Sequence, residues 1–345
     1  MKVVALDSGT SAVKAILASP APNRGWHIHA RVSIPLAEPL TAVGVLGAVE
    51  QEADDWWRAA VDALRTLLRD ESSPVAAICL TGQMQSVVLV DSAGKPLRPA
   101  LLYSDCRAAD EASELEARIG IERLQRETAN WKGAASILPK LLWLSRHEPD
   151  ILRRAHALLL SAPSALLQRL TGASLTDPTN AGVTGMLSAD TRDTCTEGTP
   201  TWAHALIADA GLAALLTPLL PAIASRSAAV PLSEAAAQLL GLDACVAGTP
   251  VCLSGDLGAT TVGALGAGGS GTYLYAGTSG WVATTRHVAA RSENAAFSTL
   301  HPEDASRRVL AAPMAAAGAN VDWVRQLLWP DVPRDEGFAR RRRIL

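Results

Sequence analysis

Residues 3–17, VVALDSGTSAVKAIL, and residues 272–285, TYLYAGTSGWVATT, each read as an apolar strand, a Gly-Thr-Ser turn and a second apolar strand. One Gly-containing hairpin is commonplace, because Gly suits tight turns. The same tripeptide in the same setting twice, separated by most of the chain, points to a duplicated device. Gly9 and Gly277 let the backbone come close to a bound anion. The neighbouring N–H groups and the hydroxyls of Thr10, Ser11, Thr278 and Ser279 can donate to phosphate oxygens. Two such turns would grip one polyphosphate from opposite sides. Asp7 closes the leading strand of the first copy and Lys14 lies in its second strand, so a carboxylate stands beside the expected phosphate site. Carboxylates hold hydrated Mg2+ in that position in many phosphoryl-transfer sites.

Outward from the first hairpin, strand-like runs alternate with helical spacing. DDWWRAAVDALRTLLRD (54–70) reads as a helix, VAAICLTG (75–82) and SVVLVD (86–91) as strands, and KLLWLSRH (140–147) and SALLQRLTG (164–172) as helices. This is an α/β chain. Its opening, two paired strands before any helix, differs from the strand-helix-strand start of a dinucleotide-binding fold, and GTS followed by a strand is not GxGxxG. Gly and Pro punctuate residues 241–250, after which VCLSGDLGATTVGALGAGGSG (251–271) is rich in Gly, Ala and Thr. That shift sets the expected boundary between a first domain over 1–246 and a second over 247–345. The second would open on the strand PVCLSG, with Asp256 at its tip, then a small-residue helix and the second hairpin. Small neighbours leave room for a ligand at Asp256, although an Asp before a helix also serves as an N-cap.

With 31 Lys and Arg against 34 Asp and Glu, the formal net charge of −3 lacks the basic excess of a nucleic-acid binder. A length of 345 residues suffices for two domains with cores. The cysteines, Cys79, Cys106, Cys195, Cys245 and Cys252, are scattered without CxxC spacing, so neither a disulfide framework nor a zinc site is expected. MKVVALDSG carries no apolar export segment, and the longest apolar stretch, around Leu212 to Ala224, is broken by Pro218 and Pro221. A cytoplasmic protein without membrane spans is expected. Trp56 and Trp57 are expected to pack rather than to stack a ligand, and Arg340 to Arg343 read as a solvated tail.

Seven segments, in order, resemble the FGGY carbohydrate kinases, and the xylulokinases most closely. They are LDSGTSAVKAIL (6–17), GAVEQEADDWW (47–57), LTGQMQSVVLVDSAGKPLRPALLYSDCRA (80–108), PKLLWLSRHEPD (139–150), LLQRLTGASLTD (166–177), GTPVCLSGDLGATTVGALGAG (248–268) and YLYAGTSG (273–280). The resemblance implies two ribonuclease H-like domains of the actin and hexokinase type closing on a cleft, with sugar held mainly by the first and ATP mainly by the second. It implies ATP-dependent phosphorylation of a sugar hydroxyl, with a ketopentose such as D-xylulose as the leading substrate. Under it Asp256 matches the general base and Asp7 orients Mg2+ through water, and the partners are a small sugar and ATP.

Gly82, Gln83, Met84 and Gln85 match the family's GQMHG sugar loop, with Gln85 in place of His and Ser86 in place of Gly. Glutamine still offers a donor and an acceptor but cannot change charge near neutral pH. Tyr103, Ser104, Asp105, Cys106 and Arg107 stand where xylulokinases read W-N-D-G-R, which makes Tyr103 and Asp105 sugar-contact candidates. The other reading of Asp105 and Arg107 is a surface pair at the start of the AADEASELEARIG helix. Leu257 follows Asp256 where the family usually has Asn or Gln, so kinases for ribulose, gluconate or glycerol stay open beside D-xylulose. Beyond the helix within Met314 to Trp329, the remainder of the family's second domain has no counterpart, including its Gly-rich segment for adenine and ribose. An incomplete second domain exposes apolar edges and a core face, which favours association, a homodimer included. It also makes an inactive sugar-binding or regulatory homologue the alternative reading.

Overall fold

In the computed structural model, which describes residues 1–22, 25–42, 44–71, 74–188, 200–225, 228–241, 248–277, 279–287, 297–314 and 316–332, the chain opens with three antiparallel strands. These are β1 (Lys2–Ser8), β2 (Ala12–Pro20) and β3 (Trp26–Pro35). The short β4 (Glu50–Gln51) leads into the helix Ala53–Leu68, and β5 (Val75–Gly82) returns parallel to β1 on the side away from β2. Next, β6 (Met84–Val90), β7 (Ala100–Leu101) and β8 (Ala157–Ser161) join β4 in a sheet of order β4-β7-β6-β8. A two-stranded pair follows from β9 (Leu175–Thr176) and β10 (Ala222–Ile223). The first sheet is completed by β11 (Ala229–Pro231) and β12 (Pro250–Leu253), in the order β11-β12-β5-β1-β2-β3. The helix Asp256–Leu265 then leads to β13 (Thr272–Ala276), β14 (Gly280–His287), β15 (Phe297–Leu300) and β16 (Arg307–Met314), ordered β13-β14-β16-β15, and to the helix Gly318–Leu328.

Period-two alternation decides where the core lies. Val4 and Leu6 of β1, Ala15 and Leu17 of β2, Ile78 and Leu80 of β5 and Val251 of β12 leave one face of the first sheet, and all are buried. The helix Ala53–Leu68 lays Trp56, Ala60, Ala63, Leu64 and Leu67 on that face at helical spacing, with the helices Ala162–Thr171 and Glu234–Leu240 beside it. Trp56 and Trp57 are core residues, as expected, and side chains of this size contribute about 1.5–3 kcal/mol each on full burial. The opposite face carries Ala5, Asp7, Lys14 and Cys79, which stay at least partly exposed. Among the described residues no helix is long and apolar enough to cross a membrane.

One expectation needs correcting. The strand PVCLSG does not open a new core; β12 pairs in parallel with β5, Val251 opposite Ile78 and Leu253 opposite Leu80. Its apolar residues continue the rows of the first sheet, with Pro250 as its first residue. The boundary placed at 246/247 itself lies outside the described residues, as do Cys195, Cys245 and Arg340 to Arg343.

The second sheet repeats the opening of the first: hairpin β13–β14, an antiparallel β16 on the far side of β14, then a helix. Around it Leu274, Val282, Met314, Trp323, Leu327 and Leu328 remain exposed, the apolar face expected of an incomplete unit. Its tie to the first unit runs through β15. The Thr179 hydroxyl donates to the Leu300 carbonyl at 3.1 Å, the Thr299 hydroxyl to the Thr179 carbonyl at 2.7 Å, and the Ser298 N–H to Asn130 Oδ1 at 2.9 Å.

Candidate active site

The register of the first hairpin sets Asp7 directly across from Lys14. Its turn is held from below by Gln51, whose amide nitrogen donates to the Thr10 carbonyl at 2.9 Å and the Ala37 carbonyl at 3.0 Å. The Gln51 oxygen accepts from the Trp56 indole at 2.8 Å and from the Gln83 amide at 3.2 Å. Both donors and both acceptor sites of this buried amide are thereby used. Gln51 couples the first turn to the loop of residues 82–85, a place whose only sequence signal was its position within GAVEQEADDWW.

Asp256 is the first residue of its helix; Gly255 holds the cap position and no side chain caps there. The capping alternative is therefore not realised, and Asp256 Oδ1 accepts instead from the Thr260 hydroxyl at 3.0 Å. Burial pushes its pKa up to about 6, with the charge of Asp7 adding to the rise and Thr260 and Lys14 opposing it. Asp7 is itself raised by burial, with Lys14 pulling the other way. Two carboxylates and one ammonium thus share a field, although they lie on segments about 250 positions apart in the chain.

The second hairpin faces the same groups. Burial, then Asp256, Asp7 and Tyr103, push the Tyr275 phenol up to about 12, and its ring stacks on Trp281 at 4.0 Å between centroids. The Tyr275 hydroxyl lies against Gly277, where an added Cβ would stand 2.6 Å away. Tyr275 was not singled out from the sequence, where it reads as one more strand residue. In both turns the glycine N–H closes the turn itself, Gly9 onto the Ala12 carbonyl at 3.1 Å and Gly277 onto the Ser279 carbonyl at 2.8 Å. Contacts to an anion would then fall to Thr10, Ser11 and Ser279 rather than to those two N–H groups. Thr278 lies outside the described residues.

The loop matched to the family's sugar motif divides. Met84 lies over Gly255, and its sulfur accepts from the Leu257 N–H at 3.4 Å, so this residue touches the segment that carries Asp256. Gln83 is buried, and its Oε1 has no hydrogen-bond partner; the hydroxyls of Ser8, Thr81 and Ser86 are in the same condition. Buried polar atoms without partners are uncommon, and a hydroxyl-bearing ligand reaching Gln83 would satisfy its oxygen. Gln85 differs from expectation. It takes φ +57°, a left-handed conformation that few residues other than Gly adopt, and its amide nitrogen donates to the Val183 carbonyl while its N–H meets Asn180 Oδ1 at 3.2 Å. Its donors serve the helix Pro178–Val183 rather than the loop's own opening.

Asp105 is neither a surface residue nor presented for a sugar contact. It is fully buried, with Oδ2 accepting from the Val49 N–H at 2.7 Å and from Arg107 at 2.8 Å. Arg107 also meets Glu50 at 2.6 Å, and Glu50 pairs with Arg98. Nearby, fully buried Lys140 donates to the Leu102 carbonyl at 2.8 Å; burial lowers its pKa to about 8, with Asp105 opposing. Asp105→Asn preserves size but removes one anion from beside a buried guanidinium. The expected loss is about 3 kcal/mol of stability, read as a lower urea midpoint at unchanged slope.

Asp7 and Asp256 suit a hard divalent cation, because carboxylate oxygens are its preferred ligands and positive charge would offset the burial and the Asp7 repulsion that raise Asp256. Mg2+ asks for one or two protein carboxylates beside phosphate oxygens. Among the described residues no cluster of three or more His, Cys, Asp or Glu is placed to hold a metal.

The same architecture occurs in solved sugar kinases. The xylulose kinase from Rhodospirillum rubrum matches with a TM-score of 0.79 at 25% identity, covering 99% of this chain and 66% of that one. The glycerol kinase of Plasmodium falciparum with ADP, at 18% identity, shares the fold with a TM-score of 0.73 over 97% of this chain and 65% of that one. The fold is therefore the ribonuclease H-like, actin and hexokinase type, with its second unit incomplete here.

The FGGY family of carbohydrate kinases, N-terminal domain, matches residues 2–266, and the chain belongs to that family. The xylulose kinase of Escherichia coli strain K12 is 30% identical over 329 residues, 94% of this chain and 62% of that protein. An autoinducer-2 kinase of the same strain is 32% identical over 274 residues, 77% of this chain and 47% of that protein. The xylulose kinase of Staphylococcus xylosus is 28% identical over 242 residues, 70% of this chain and 46% of that protein. The chain thus spans roughly half to two thirds of the length of these relatives.

Proposed function

We propose that this chain supplies the sugar-binding unit, the catalytic base and the phosphate-gripping hairpins of a cytoplasmic, ATP-dependent kinase acting on a small sugar, with a ketopentose such as D-xylulose as first choice. The observation that carries the reading is the shared field of Asp256, Asp7 and Lys14, with Tyr275 of the second hairpin facing it. At pH 7.5 a carboxyl of pKa about 6 is ionised yet still basic enough to accept the sugar hydroxyl's proton as its oxygen attacks the γ-phosphorus. Lys14 and the hydroxyls of Thr10, Ser11 and Ser279 would meet phosphate oxygens. Asp7 would hold Mg2+, which when bound neutralises charge on the phosphates.

For the sugar, Gln83 Oε1 and the Tyr103 hydroxyl offer polar partners, while Met84 and Leu257 offer apolar contact. A sugar hydroxyl facing Leu257 would go unpartnered at a cost of roughly 1–3 kcal/mol, which bears on which relative's substrate, xylulose, gluconate or glycerol, this chain prefers. The test pairs a coupled ADP-release assay with Mg-ATP across D-xylulose, D-ribulose, D-gluconate and glycerol with calorimetric titration of the same compounds. Sugar-dependent ADP release, greatest on a ketopentose, is the expected result. Sugar binding with no ADP release would instead assign a sugar-binding homologue without turnover, and the absence of both binding and release would overturn the reading.

A further inference from the structure

Scattered in sequence, two cysteines are neighbours in the sheet. One row of the first sheet runs Cys252, Cys79, Ala5 and Ile16 across β12, β5, β1 and β2. The row lies on the face opposite the main core, one step along the strands from the row of Thr81, Asp7 and Lys14. Paired residues on adjacent strands send their side chains to the same face, and the strands lie about 4.8 Å apart. That spacing falls inside the Cα separation of about 4.4–6.8 Å that a disulfide spans. Both thiols are free, Cys79 exposed and Cys252 partly so, and each lies close enough to shift the other's titration. A thiol donating to its neighbour's sulfur eases loss of the first proton and hinders loss of the second, which lowers Cys252 to about 7 and raises Cys79.

We propose that Cys79 and Cys252 form a dithiol modification site that hydrogen peroxide oxidises to a reversible cross-strand disulfide. The Cys252 thiolate attacks one peroxide oxygen, the O–O bond breaks, and the departing hydroxide takes up the proton that Cys252 released, leaving as water. The Cys79 sulfur then attacks the resulting sulfenic sulfur, forming the S–S bond as the S–O bond breaks. The second water carries away the Cys79 proton. Two electrons pass from two thiols to one peroxide, and a reducing dithiol reverses the step. The bond would join the strand that enters the sugar loop to the strand that leads to Asp256.

The test treats the full chain with hydrogen peroxide, caps remaining thiols with N-ethylmaleimide and digests it without reductant for mass spectrometry. The expected product is a peptide pair joining Cys79 to Cys252 in protein that still migrates as a monomer, and dithiothreitol removes it. In Cys79→Ser the link disappears and dimedone labels Cys252. As a second measurement on unaltered protein, phenylarsine oxide, which needs two convergent thiols, should protect both cysteines from alkylation. Recovery of Cys79 and Cys252 separately alkylated after both treatments, or joined to other cysteines, would overturn the proposal.

Discussion

Asp256→Asn should lower sugar-dependent ADP release by about 10²–10⁴-fold while making the folded protein more stable at pH 7.5. The two effects share one cause. Burial and the neighbouring Asp7 hold the Asp256 carboxyl near pKa 6, against 3.8 for an ordinary aspartate. The folded state therefore binds this proton more tightly than the unfolded chain does. Wherever the folded state binds more protons, stability falls as pH rises, so wild-type protein loses stability between about pH 4 and pH 6 from this group. At pH 7.5 the full cost, about 1–3 kcal/mol, is present, and Asn, a neutral group of the same shape, removes it. Thermal unfolding followed from pH 4 to pH 8 should show variant and wild type converging near pH 4 and separating above pH 6, with the variant higher. Wild-type turnover should rise with pH through about 6, because a general base must be ionised. A variant that is less stable at pH 7.5, or that still turns over sugar at the wild-type rate, would remove Asp256 from the role.

Gly82→Ala should destabilise the protein by about 4 kcal/mol or more, among the largest single-residue effects to be found in the first unit. Gly82 ends β5 where it passes the end of β1, at φ +146°, a conformation closed to residues with a Cβ. An added Cβ would lie 2.7 Å from the Ser8 carbonyl carbon and 2.8 Å from its nitrogen, and nearer still to its oxygen. Those are backbone atoms of a central strand, and the neighbouring Gln83 N–H donates to the same Ser8 carbonyl at 2.9 Å. Relief would require β1 and β5 to part at the base of both the first turn and the sugar loop. Urea unfolding should show a much lower midpoint, and calorimetry on whatever remains folded should show weakened sugar binding. A variant of near wild-type stability would mean that the close passage of these strands is not a constraint in solution.

The hairpins, the strand-helix alternation and the first core were legible because their signals are local. Val4 and Leu6, or Trp56, Ala60 and Leu64, repeat at the spacing of the element they build, and a Gly-Thr-Ser turn announces itself within three residues. The site was legible in part. Asp7, Lys14 and Asp256 share one field and Met84 touches the segment that carries Asp256, while Gln85 turns its amide to Val183 and Asp105 is buried against Arg107. Nothing local distinguishes a carboxylate that faces a ligand from one that neutralises a buried guanidinium, because the distinction lies in what the rest of the chain brings to it. Gln51 and Tyr275 escaped notice for the same reason.

Sequence by itself determined which segments become strands, turns and helices, and that two hairpins share a Gly-Thr-Ser turn, since backbone preference and hydrophobic period act between near neighbours. Tertiary structure alone decided that β12 lies beside β5, that Cys252 meets Cys79, and that Asp256 is held near pKa 6. Strand pairing, burial and Coulomb interaction depend on distance through space, and the chain's numbering carries no record of that distance.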